Sequence, residues 1–120
     1  MEYEPEVFST NVASSSTSRN FLLNVMFFQN GCFVIITEGP PRIGAVSMAI
    51  SASNKVSIAK VIPSKYDSIF LNTLAEKISS MINGISLVSL QSRRQLELDD
   101  MKAIMEEVMN AISSKRYEKQ

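Results

Sequence analysis

The chain has 120 residues, 45% of them apolar and 20% charged, with 12 basic and 12 acidic side chains. This is the composition of one ordinary globular domain, and the charge balance gives no electrostatic reason to bind nucleic acid or an anionic membrane. One cysteine, Cys32, and no histidine exclude a disulfide scaffold and the usual zinc sites, and remove the commonest general base.

In chain order, the opening Met-Glu-Tyr-Glu-Pro-Glu lacks the basic start and apolar core of a signal peptide. No apolar run approaches the roughly 20 residues that span a bilayer, so a cytosolic or nuclear location is expected. Residues 1–19 form a leader containing the polar run Ser14 to Ser18; Val7, Phe8 and Val12 within it suit either a flexible segment or an edge strand. Residues 20–114 make a single α+β domain, and 115–120 a basic tail. Phe21 to Phe28 reads as a strand, Asn30-Gly31 as a two-residue hairpin turn, and Cys32 to Thr37 as the return strand. Gly39-Pro40-Pro41 ends that strand as a stiff turn. Ala45 to Ile50 and Lys55 to Ile62 follow as strands, separated by a turn at Ser51 to Asn54.

The period then changes. Phe70, Leu71, Leu74, Ala75, Ile78, Met81 and Ile82 share a helical face, which Asn83-Gly84 terminates. Ile85 to Leu90 has strand length. A second helix starts near Asp99 or Asp100, acids suited to the positive end of a helix dipole, and carries a stripe of Met101, Ile104, Met105, Val108 and Ile112. The order β-β-β-β-α-β-α predicts an α+β fold: a small antiparallel sheet of five to six strands, meander first, packed with two amphipathic helices.

A two-residue loop at Asn30-Gly31 pairs Phe28 with Phe33 and Met26 with Ile35. Because side chains alternate across a sheet, Leu23, Val25, Phe27, Val34 and Ile36 share one face, and Leu22, Met26, Phe28, Phe33 and Ile35 share the other, with Asn24 and Thr37 beside them. Neither face is polar, whereas an antiparallel sheet with one face in water alternates. Either the helices straddle the sheet, or both lie on one face and a partner protein covers the other. The face of Leu22, Met26, Phe28, Phe33 and Ile35 is the candidate partner-binding site, being richer in the aromatic and methionine side chains that interfaces favour.

The residues offer no catalytic constellation. There is no phosphate-binding glycine motif, and the two prolines of Gly39-Pro40-Pro41-Arg42-Ile43-Gly44 remove amides that a phosphate cradle needs. Asp99-Asp100 and Glu106-Glu107 are adjacent on a helix, so the members of each pair do not face each other; they read as solvated faces. Cys32 reads as an inert, partly buried thiol, and Arg93-Arg94 as a short basic step able to meet an acidic partner. No cofactor, no metal and no enzymatic activity are expected.

Asn24-Val25-Met26-Phe27-Phe28, then Cys32-Phe33-Val34-Ile35-Ile36 and Gly39, resemble the opening hairpin of the proteasome assembly chaperone 4 family. Gly44 to Met48 looks like that family's small-residue strand. Leu74-Ala75-Glu76-Lys77-Ile78, Leu87-Val88-Ser89-Leu90 and the Met101 to Ile112 helix are similar to its C-terminal half. Arg42-Ile43-Gly44 also resembles the sister family, proteasome assembly chaperone 3. The resemblance covers roughly residues 21–112. It implies a non-catalytic assembly chaperone of the 20S proteasome that pairs with a related chaperone 3 as a heterodimer. Such a pair holds a proteasome α-type subunit while the α-ring forms. A longin- or roadblock-like scaffold subunit of a trafficking or signalling complex is the alternative with a similar layout.

Overall fold

The computed structural model describes residues 6–115. The elements are β1 (Glu6–Ser14), β2 (Arg19–Phe28), β3 (Gly31–Thr37), β4 (Ala45–Ala52), β5 (Lys55–Ile62), α1 (Ser68–Ile82), β6 (Ile85–Gln91) and α2 (Leu98–Lys115). The class is α+β. The six strands form one sheet in the order β1-β2-β3-β6-β4-β5. Residues 6–14 of the leader are an edge strand, paired antiparallel to β2 from Glu6↔Phe27 to Ser14↔Arg19. Of the tail read at 115–120, Lys115 ends α2 and the rest lies outside the described residues.

The sheet differs from an all-antiparallel meander in one place. β6 inserts between β3 and β4, parallel to β3 and antiparallel to β4. The reason lies in the connections. The proline-bearing segment 38–44 is no tight hairpin; it leaves a gap one strand wide between β3 and β4. After β5 the chain crosses back through α1, and a helical crossover is what a parallel pair requires. β6 then fills the gap.

The first hairpin also corrects the expected register. Its loop is Gln29 and Asn30, with Phe28 opposite Gly31 and Met26 opposite Phe33. Phe28 does not pair with Phe33, nor Met26 with Ile35. No positive φ occurs at Gln29, Asn30 or Gly31, so this is not the turn that two left-handed residues make. That turn occurs instead between β4 and β5, where Ser53 and Asn54 have φ of 53° and 64°. Gly31 is glycine for a different reason: a Cβ there would collide with the carbonyl oxygen of Ile85, where β6 enters beside β3. The slip moves each strand's partner by two residues, and a two-residue slip returns every side chain to the same face.

Both helices pack on one face. Ser47 and Ser86 point at α1, their hydroxyls donating to Asn72 Oδ1 (2.7 Å) and the Ala75 carbonyl (2.6 Å). Arg19 on the same side meets Asp100 of α2, and Lys115 of α2 lies over the Phe27 ring. The core between sheet and helices contains Phe21, Leu23, Val25, Val34, Ile36, Leu74, Ile78, Val88, Ile104 and Val108, all fully buried. α1 stops at Asn83, which takes the left-handed conformation (φ 52°) ahead of Gly84, whose amide donates to Ser79 O at 3.2 Å.

Candidate partner-binding surface

Strand pairing places the opposite face in rows. Val7, Met26, Phe33, Leu87, Met48 and Ala59 are consecutive cross-strand neighbours, one from each of the six strands. At about 4.8 Å per strand the row runs roughly 24 Å without a polar side chain. One row over lie Ser9, Asn24, Ile35, Ser89, Val46 and Ile62. There Ser9 hydrogen-bonds the Asn24 amide oxygen, so the polar pair is satisfied within the sheet. On the other side Phe28, Gly31, Ile85 and Ile50 follow one another.

No helix packs on this face; at one end of it Thr37, Ser89 and Val46 are buried, and the Gly44 amide donates to Ser89 Oγ at 3.0 Å. Leu22, Met26, Phe33 and Ile35 are half-buried by their neighbours alone, and Phe28 is 49% exposed at the hairpin tip. The structure therefore brings all five of these side chains to one surface, opposite the helices. Sequence reasoning missed the second half of the surface. Leu87 and Ile85 of β6, and Met48 and Ile50 of β4, extend it, and only the insertion of β6 makes them neighbours of Phe33. Their signal was the alternation within β6, where Ser86 and Val88 face α1 and Ile85 and Leu87 face away.

The densest charged cluster lies on the other side, at the end of the sheet where β2 starts. Arg19 is buried, and all five of its N–H groups are engaged. Nε and one terminal nitrogen donate to Glu38 at 3.0 and 2.6 Å; the others reach Asp100 Oδ2 (2.9 Å), Gln95 O (3.0 Å) and Arg94 O (3.1 Å). Asp100 also accepts from Thr17 and from the Glu97 amide (2.9 Å), which caps α2. Asp100 is thus not part of a solvated helix face: it is 0% exposed. Asp99 stays at the surface. Hydrogen bonding from Arg19 holds the Glu38 carboxyl below its usual range. Burial pushes Asp100 up, but hydrogen bonds from Thr17 and the Glu97 amide and the Arg19 charge outweigh it, and the net direction is down. Asp67, which receives the Leu96 amide, is pushed up by burial. With every donor committed, the cluster fastens β2, segment 38–44, segment 92–97 and α2 together and leaves Arg19 nothing to offer a ligand.

The remaining candidates for chemistry are equally occupied. Cys32 is buried on the helix side, and burial pushes its thiol up to about 12, far from thiolate chemistry at neutral pH. An open hollow between β1 and the end of α2 is lined by Glu6, Val7, Phe8, Phe27 and Lys115, whose two charges pair with each other at 2.6 Å. Among the described residues no group of His, Cys, Asp or Glu is placed to hold a metal ion, and no helix is long and apolar enough to cross a membrane.

No family model matches the sequence, and no curated protein matches it. A solved structure does: a chain from the crystal structure of a chaperone complex for yeast 20S proteasome assembly. It superposes with a TM-score of 0.69 at 13% identity, over 92% of this chain and 97% of that one. At that identity the likeness is one of architecture, and it spans nearly the full length of both: this chain has the fold of a chain in a yeast proteasome assembly chaperone complex.

Proposed function

We propose that the chain is a non-catalytic assembly chaperone of the 20S proteasome. In this reading it pairs with a related chaperone, of the chaperone 3 kind if this chain is of the chaperone 4 kind. The pair holds a proteasome α-type subunit during α-ring formation, in the cytosol or nucleus, with no cofactor and without contacting nucleic acid or membrane. The observation that carries the reading is the apolar sheet face of Leu22, Met26, Phe28, Phe33 and Ile35 on a fold shared with a chaperone complex. An apolar face of this breadth is unfavourable in water and marks an interaction site. The fold likeness favours this reading over a trafficking scaffold.

The test is co-expression of tagged chain with a candidate chaperone 3 partner, followed by co-purification and sedimentation. Wild-type chain forms a one-to-one complex. Ile35→Asp stays folded by circular dichroism and loses the partner. A variant that retains full binding would place the partner elsewhere. Recovery of an α-type subunit with the wild-type pair, and not with the variant, tests the second half of the reading.

A further inference from the structure

The sheet has two edges, and they differ in charge. Between Glu38 and Asp67 the sequence carries Arg42, Lys55, Lys60 and Lys65 and not one acid, in a chain whose charges otherwise balance. At the other edge β1 carries one charged residue, Glu6, and it is paired with Lys115 at 2.6 Å. β5 is therefore a basic edge. All eight of its residues are exposed, because α1 lies over β4 and β6. Among the described residues, six of the thirteen large apolar side chains left in water fall between Val56 and Ile69: Val56, Ile58, Val61, Ile62, Tyr66 and Ile69.

The backbone of β5 is open as well. The two-residue loop Ser53-Asn54 makes Ala52 and Lys55 the hydrogen-bonded pair that closes the hairpin. In an antiparallel ladder such pairs alternate with non-bonded ones. Lys55, Ser57 and Ala59 thus turn their amides and carbonyls toward β4, and Val56 and Ile58 turn theirs outward. The ladder stays regular from Ala52↔Lys55 to Ser47↔Lys60, and the bulge comes only beyond it, at Val46/Ser47. Neither Lys55 nor Lys60 has an ion-pair partner among the described residues.

We propose that the β5 edge is a docking site for an acidic, extended segment of another protein, which adds to the sheet as a seventh strand. The outward groups of Val56 and Ile58 supply the main-chain ladder, their side chains the apolar contact, and Lys55 and Lys60 the charge selection. The lysines place like charge on both strands of a β5·β5 pair and so disfavour edge-to-edge pairing of two copies through this strand. The site lies outside the apolar face assigned to the partner chaperone and stands without that assignment.

The probe is a capped, fluorescent peptide of alternating glutamate and valine, matched to the eight residues of β5, with a lysine–valine peptide as control. Anisotropy should show binding of the glutamate peptide alone. The affinity should fall at least about tenfold in K55E/K60E and on raising the salt from about 50 to 200 mM. Ile58→Pro removes an outward amide while sparing the ladder to β4, and should weaken binding by a similar factor with circular dichroism unchanged. Independently of that variant, hydrogen exchange in the wild-type chain should show the Val56 and Ile58 amides slowed by the peptide. No binding overturns the proposal. Binding without amide protection, or a folded Ile58→Pro that binds as well as wild type, overturns it in favour of plain charge attraction. Head-to-tail polymers of the chain alone that K55E/K60E abolishes would make the occupant a second copy, and overturn it too.

Discussion

The two faces of the sheet have nearly the same hydrophobicity and opposite fates. On the helix side Leu23, Val25, Val34, Ile36 and Val88 are buried to 0% exposure. On the open side Leu22, Met26, Phe33, Ile35 and Leu87 are left half in water. What separates the faces is small residues. Ser47, Ala49 and Ser86 lie on the covered side beneath Asn72 and Ala75 of α1, and let the helix come within hydrogen-bonding reach of the strands. On the same two strands the open side carries Met48, Ile50, Ile85 and Leu87, and these are too large for a helix backbone to approach. Apolar pattern says that a face will be covered; side-chain size says whether the chain's own helices do the covering.

The sharpest way to break this contrast is a charge on each side. Ile36→Asp places a carboxylate in a sealed core, at a cost of several kcal/mol without a partner. That is comparable with the roughly 5–15 kcal/mol that holds such a domain together, so the variant should be unfolded by circular dichroism. Ile35→Asp, one residue away on the open side, should keep a cooperative melt. If both unfold, something covers the open face; if only Ile35→Asp unfolds, the faces are exchanged.

Next in size is Arg19→Ala. It leaves Asp100 and Glu38 without their cation at the covered end of the sheet, and breaking such a buried pair costs about 3–5 kcal/mol. Urea denaturation should show this loss, whereas Arg94→Ala, at the exposed pair with Glu97 (3.9 Å), should change stability by less than about 1 kcal/mol. Gly31→Val comes third. Its side chain must displace the start of β6, and a loss of about 1–3 kcal/mol is expected from over-packing. Gly31→Ala should already be destabilising, because the collision begins at Cβ. A neutral Gly31→Ala would show that β6 can shift.

The smallest effect is on pH dependence. Glu38 and Asp100 are depressed in the folded state, so their contribution is complete above the ordinary carboxylate range, about 4, and is lost as pH falls through their folded values. Asp67 is raised, so it works the other way: stability rises as pH falls through its folded value and levels off near the ordinary one. Urea midpoints should therefore peak in mildly acidic solution and fall below it. Asp67→Asn should flatten the gain on the neutral side and leave the acid loss intact. An unchanged profile would mean that Asp67 is solvated in the folded state.

Much of this was legible from residue patterns, for definable reasons. Strand alternation assigned the faces correctly even though the hairpin slipped by two residues, because a slip of two preserves sidedness. The helix stripes were legible because Leu74, Ile78, Ile104 and Val108 recur at helical spacing. The parallel β3·β6 pair was not, since nothing local in Ile85 to Leu90 says which strands it will join. Leu87 and Met48 were lost from the candidate surface for that reason alone. The role of Asp100 was hidden because its acid at the start of α2 already had a sufficient local explanation. Arg19, ending a serine-rich run, carried no periodic signal at all. Glycine at position 31 was read as a turn residue and instead permits the close approach of Ile85, since close approach and left-handed backbone leave the same letter in a sequence.

The placement of β6 has a consequence for how the molecule comes into being. The strand at the centre of the sheet is the last of the six described strands in chain order. Until Ile85 to Gln91 emerges, the nascent chain can hold only two separate antiparallel pieces, β1-β2-β3 and β4-β5, each with a bare flank at β3 and β4. β3 presents Phe33, Val34, Ile35 and Ile36 and β4 presents Val46, Met48 and Ile50, and both wait for the same seven residues. A message cut short before Ile85 would yield two sticky half-sheets rather than a smaller version of the domain. Synthesis of β6 and closure of the sheet are in this sense one event, and both half-sheets stay exposed until that strand arrives.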